Sequence, residues 1–155
     1  MELRFKKNLL EVESNSKNII SFDKDTKEIK IDDLSVSYPW EYEKSGILLE
    51  VKEYEKNLFY SFSVDSKHLL FVLVDNFELK EEILSFFGDV DVLVIPGTKN
   101  SVKIYENIEA RVVIPYGEEK SMFFQTLWKN PESVSSFKLK WEFSPDSTDF
   151  VNLEE

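Results

Sequence analysis

The residues of this chain that could do chemistry are few, and they exclude more reactions than they support. There is one histidine, His68, and no cysteine. A centre that holds divalent metals on several imidazoles cannot be built from a single one. The Ser-His-Asp and Cys-His arrangements fail on the same shortage. A Ser-Lys pair or a carboxylate pair stays open, but no spacing singles one out. Gly97-Thr98-Lys99-Asn100-Ser101 has a Gly-Thr-Lys sequence without the glycine spacing of a phosphate-binding loop. Absence of cysteine also removes disulfides and thiolate metal sites, which fits a reducing compartment, with the cytoplasm as the default.

The elements that would position chemistry centre on Lys67 to Gly97. His68 to Val74 and Val92 to Ile95 are apolar, β-branched runs of the kind that form strands buried on both faces. Between them Leu79, Ile83 and Phe86/Phe87 recur at helical spacing, and Gly88 stands where a helix end favours a residue free to take positive φ. A right-handed βαβ crossover follows. Ligands in open α/β sheets gather beyond the carboxyl ends of strands, so Asp75, Gly97 and Tyr116 should share one rim. His68 lies at the other end of its strand, roughly 20 Å from Asp75, and reads as a surface or strand-edge residue. Asp75 has two readings. With Glu78 it fits a capping box that opens the helix. With Asn76, Glu78 and Glu118 it could ligate one Mg²⁺ or Ca²⁺.

Ahead of this unit, Leu3 to Phe5, Leu9 to Glu13, Ile19 to Phe22, Glu28 to Ile31 and Leu34 to Ser37 are short alternating runs that predict a meander of hairpins. Tyr38 to Glu43 reads as a turn restrained by Pro39, with Gly46 to Lys52 and Leu58 to Val64 as two strands after it. Beyond Gly97, Val102, Tyr105 and Ile108 fall at helical spacing, and Arg111 to Ile114 is a strand stopped at Pro115. Glu118 to Trp128 predicts a helix with Met122, Phe123, Leu127 and Trp128 as its apolar face. Phe137 to Phe143 and Phe150 to Leu153 predict strands around a turn over Ser144 to Ser147.

At 155 residues the chain is long enough for one domain, 1–155, with a sizeable core. Thirty acidic against nineteen basic residues give a net charge of −11, which repels nucleic acid and anionic lipid and favours solubility. No apolar run reaches the roughly 18 residues that a membrane helix needs, and the amino-terminal segment lacks a leader's apolar core. Thirteen phenylalanines supply a core and, in part, a subunit contact. The partners so implied are a second copy of the chain or another protein.

Five segments, Pro39 to Ile47, His68 to Asp75, Gly88 to Gly97, Arg111 to Gly117 and Ser144 to Glu155, follow the order and spacing found in metallo-β-lactamase-fold hydrolases. They resemble in particular the branch akin to ascorbate-6-phosphate lactonase, with its PGEYE turn, GDVDVLLIP strand, IPMHY strand end and late LPEET-type turn. The resemblance covers about Leu34 to Glu155. It implies an α/β (α+β) fold, a shortened αββα sandwich of mixed sheets with helices on the outer faces. It also implies a metal-dependent hydrolase whose HxHxDH loop should precede Pro39. Phe22 to Tyr38 contains no histidine, and Tyr116-Gly117 stands where the family has Met-His-Tyr. By this resemblance Asp75 aligns with the bridging ligand, and Glu41 and Trp40 belong to the same rim, with the Trp40 ring a candidate to fill the vacated volume. The expectation is therefore a degenerate member with no catalytic residues, metal or cofactor, serving as an interaction or scaffold subunit. The alternatives are a residual hydrolase of a small phosphorylated or lactone substrate, and a small-molecule binding module using the cleft.

Overall fold

The alternating runs of the first 36 residues form five strands, β1 (Glu2–Lys6), β2 (Leu9–Glu13), β3 (Ile19–Asp23), β4 (Ile29–Ile31) and β5 (Leu34–Val36), paired antiparallel in sequence order. The chain is seen here in a computed structural model that describes residues 1–140, 142–143 and 146–155. Every second residue points inward, and Leu3, Leu10, Ile20, Phe22, Ile29 and Ile31 are fully buried. The opposite face is charged: Arg4 lies 3.5 Å from Glu11 and 3.4 Å from Glu13, and Lys6 lies 3.0 Å from Glu11. A face already solvated by ion pairs has no apolar stripe for a helix to cover.

The second sheet comprises β6 (Glu41–Lys44), β7 (Ile47–Tyr54), β8 (Asn57–Val64) and β9 (Lys67–Phe71). After helix α1 (Glu81–Phe87) come β10 (Val90–Pro96), helix α2 (Ser101–Glu106), β11 (Ala110–Tyr116) and helix α3 (Lys120–Thr126). Short strands finish the chain: β12 (Ser133–Val134), β13 (Phe137–Lys138), β14 (Asp149–Phe150) and β15 (Asn152–Leu153). The order is β14-β11-β10-β9-β8-β7-β6, parallel from β14 to β9 and antiparallel from β9 to β6. β13 joins the first sheet beside β1, and β12 pairs with β15. Alternate residues of β10 and β11 enter two cores. Val92, Val94, Val112 and Ile114 meet the first sheet, and Leu93, Ile95 and Val113 meet the helices. All three helices lie on that outer face. The architecture is the mixed two-sheet α/β fold read from the sequence, shortened where a helix layer on the charged face would stand.

Several local readings need correction. β9 leaves the sheet at Phe71 rather than Val74, and α1 begins at Glu81 with Lys80 at its cap position and no side-chain cap bond. The intervening residues are held elsewhere: Tyr54 Oη donates to Glu78 O at 2.8 Å, and Glu78 N donates to Glu55 Oε2 at 2.7 Å. Asp75 therefore caps no helix. Glu41 to Glu43 is strand, not turn. β11 runs through Pro115 and β10 through Pro96, because the bonds from Val151 N to Val113 O and from Val72 N to Val94 O show which way these residues face. By the two-residue alternation each proline turns its missing N–H toward a neighbour that has already ended. The helix expected over 118–128 is confined to α3, whose buried residues are Phe123 and Phe124, while Met122 is exposed and Trp128 is exposed beyond its end. Among the described residues the strand expected over 137–143 is confined to β13, β12 was not foreseen, and Trp141 of that strand and Ser144 and Pro145 of the expected turn lie outside the described residues.

Candidate functional site

The carboxyl ends of β10 and β11 and the segment after β9 meet at one end of the second sheet. Thr98 Oγ1 donates to Asp75 Oδ2 at 2.6 Å, and the Thr98 hydroxyl lies 3.1 Å from Ser101 Oγ. Ser101 is fully buried at the start of α2, so Asp75 is tied through two hydroxyls to the turn after β10. Gly97 N donates to Tyr116 O at 2.6 Å. A Cβ at Gly97 would lie 2.5 Å from Lys120 Cα and 3.0 Å from Tyr116 O, so the start of α3 can cross this turn only over glycine. The Tyr116 ring is buried edge-on against Phe22, 5.1 Å between centroids, and its hydroxyl has no hydrogen-bond partner among the described residues. Burial, reinforced by the Asp75 and Glu155 charges, pushes the Tyr116 phenol far above its usual range and keeps it neutral. Asp75, Gly97 and Tyr116 thus share one rim in space.

Four residues that the sequence did not single out complete it. Lys24 Nζ lies 2.9 Å from Glu155 Oε1, and Lys120 Nζ lies 3.1 Å from Oε2. Gly117 N donates to both carboxylate oxygens, at 3.0 and 3.1 Å. Lys120 Nζ also donates to Leu153 O. Burial opposes ionisation of Glu155, but the bonds from Lys24, Gly117 and Lys120 outweigh it and hold its carboxyl below the usual range. Beside this cluster Lys27 donates to Lys24 O at 2.8 Å and lies over the rings of Tyr116 and Phe22, 5.1 and 5.7 Å from their centroids. Burial lowers the Lys27 pKa. Lys24 and Lys27 belong to the turn between β3 and β4, so the first sheet reaches across to the strand ends of the second. In the sequence Lys24 and Glu155 are 131 residues apart, and no periodicity links them.

No family model matches the chain, and no curated protein matches it. A solved structure does: a Thermotoga maritima protein described as a candidate Zn-dependent hydrolase of the metallo-β-lactamase superfamily superposes with a TM-score of 0.74 over 100% of both chains, at 18% sequence identity. The fold is that of the metallo-β-lactamase superfamily. At that identity the likeness establishes the architecture alone.

The side chains at the rim do not fit the two-metal centre of a metallo-β-lactamase-fold hydrolase. No group of three or more His, Cys, Asp and Glu side chains able to hold a metal occurs among the described residues. Asp75 faces hydroxyls, and the carboxylate at the end of β11 is claimed by two ammonium groups. The imidazole is far away. His68 lies at the start of β9, between β8 and β10 and so inside the sheet rather than at its edge. Its Nε2 is 2.6 Å from Ser61 Oγ, and its Nδ1 meets Asp89 O. Glu41 and Trp40 do not join the rim either. β6 is the far edge of the sheet, four strands from β10 and about 19 Å away. Trp40 is 72% exposed there, so its ring fills no cleft.

Proposed function

We propose that this chain keeps the metallo-β-lactamase architecture without its two-metal chemistry and acts through its surface, as an interaction or scaffold subunit with no resident cofactor. The reading rests on one observation. At the end of β11, where the resembling hydrolases place an imidazole, the backbone N–H of Gly117 grips the Glu155 carboxylate between Lys24 and Lys120. Both rim carboxylates are already engaged, Glu155 by two ammonium groups and Asp75 by the Thr98 hydroxyl, and the ammonium groups of Lys24, Lys27 and Lys120 beside them oppose a divalent cation. The acidic surface and exposed Trp40, Tyr38 and Leu48 are what such a subunit would offer a partner.

The test is metal content. Protein incubated with zinc or manganese and then desalted should carry no stoichiometric metal by elemental analysis, and should hydrolyse neither phosphate esters nor lactones above background. Two equivalents of metal, or metal-dependent turnover, would restore the hydrolase reading.

A further inference from the structure

The second sheet ends in a free edge at β6. The Trp40 carbonyl accepts from Val51 N at 2.9 Å, so alternate residues Tyr42 and Lys44 bond to β7, while the main-chain N–H and C=O of Glu41 and Glu43 point off the sheet. The side chains of Glu41 and Glu43 are exposed on the face that carries Leu48 and Glu50. Glu41 stands directly opposite Glu50, a pairing that places like charges on Cα atoms about 4.5 Å apart and destabilises the ladder. No ion pair among the described residues reaches Glu41, Glu43 or Glu50. The neighbouring lysines are engaged elsewhere, Lys44 with Asp33 and Lys52 with Glu82 at 3.3 Å. The three glutamates line one depression of about 520 Å³ with Leu48 and Ser61, and Trp40, 72% exposed, lines a second one with Glu41 and Glu50.

We infer that β6 is a docking edge for a basic, extended segment of a partner protein, which adds to the second sheet as an eighth strand. Strand addition uses the unpaired donors and acceptors of Glu41 and Glu43 for the ladder. Side-chain alternation then dictates the partner's pattern. Lys or Arg at every second position meets Glu41, Glu43 and Glu50, an apolar residue between them lies beside half-buried Tyr42, and a flanking cation stacks on Trp40. A second copy of the chain is the poorer occupant, since each carries a net charge of −11 and would bring its own glutamates to the edge. This inference rests on the interaction reading above and names the surface it uses.

The probe is the capped peptide acetyl-Lys-Val-Arg-Val-Lys-amide, titrated into the isotope-labelled full chain. Amide shifts should change at Glu41 and Glu43, and their hydrogen exchange should slow. The Glu41→Gln/Glu43→Gln variant should bind about tenfold more weakly, and the peptide N-methylated at alternate residues should not slow exchange at all. Equal binding by the N-methylated peptide, shifts centred elsewhere, or a dimer through β6 that Glu41→Lys dissociates would each overturn the inference. Stoichiometric metal at the rim would instead remove the interaction reading and leave the peptide result standing, so the two failures are separable.

Discussion

At the scale of single residues the decisive group is Glu155. Its side chain is 10% exposed and is held by two ammonium groups and a backbone N–H, which is enough to keep it ionised against the cost of burial. Glu155→Gln keeps the shape but leaves Lys24 and Lys120 facing a neutral amide, and should cost about 2 kcal/mol. The pH dependence follows from the direction of the shift. The folded pKa lies below the ordinary 4.5, so the stabilisation is complete above that value and is lost as pH falls through the lower, folded one. Thermal melts should show a clear gap between the wild type and Glu155→Gln near about pH 7, narrowing toward about pH 3. A gap that persists unchanged in acid would mean that the carboxylate's charge contributes nothing. Tyr116 shows the complementary case, a hydroxyl kept neutral chiefly by burial, with the Asp75 and Glu155 charges adding to it.

At the scale of elements, legibility followed periodicity. The five strands of the first sheet were readable because each alternates with a period of two, and the parallel core of β9, β10 and β11 was readable because two-sided burial makes a run continuously apolar. The start of α1 was not, since Asp75 and Glu78 satisfy a capping pattern locally while Thr98, Tyr54 and Glu55 claim them from 23 residues or more away. At the rim the strand ends named Asp75, Gly97 and Tyr116, but not the lysines that close it, because a lysine in a polar turn looks like any solvated residue. The hairpins carry their own prediction. Glu55 and Lys56 join β7 to β8 with φ of 50° and 63°, a left-handed pair that suits Asn-Gly far better. Glu55→Asn/Lys56→Gly loses the Glu55 bond to Glu78 N but should still raise stability by about 1 kcal/mol, or about 3 °C in Tm. A fall in Tm would make that bond the stronger of the two effects.

For the whole molecule the question is whether two cores make one folding unit. Phe22 and Phe71 meet between the sheets with centroids 6.0 Å apart, and Phe59, Phe77 and Phe87 pack under α1 at 4.9 to 6.2 Å. The two clusters share no residue, yet they are the opposite faces of the same strands, because neighbouring residues of β10 enter different cores. Neither layer can be peeled away without exposing one face of β9, β10 and β11 to water, and those strands have no polar face to present. Unfolding should therefore be a single transition despite the three-layer plan. Phe22→Ala removes a ring from the first core and Phe87→Ala one from the second, and each should cost about 3 to 5 kcal/mol. Both should move the same urea midpoint, with circular dichroism and the exchange of β2 and β10 amides reporting one curve in each variant. If Phe22→Ala instead released β2 while β10 stayed protected, the first sheet would be a separable layer, and the Lys24 and Lys27 turn would be a detachable cover over the strand ends rather than part of their fixed structure.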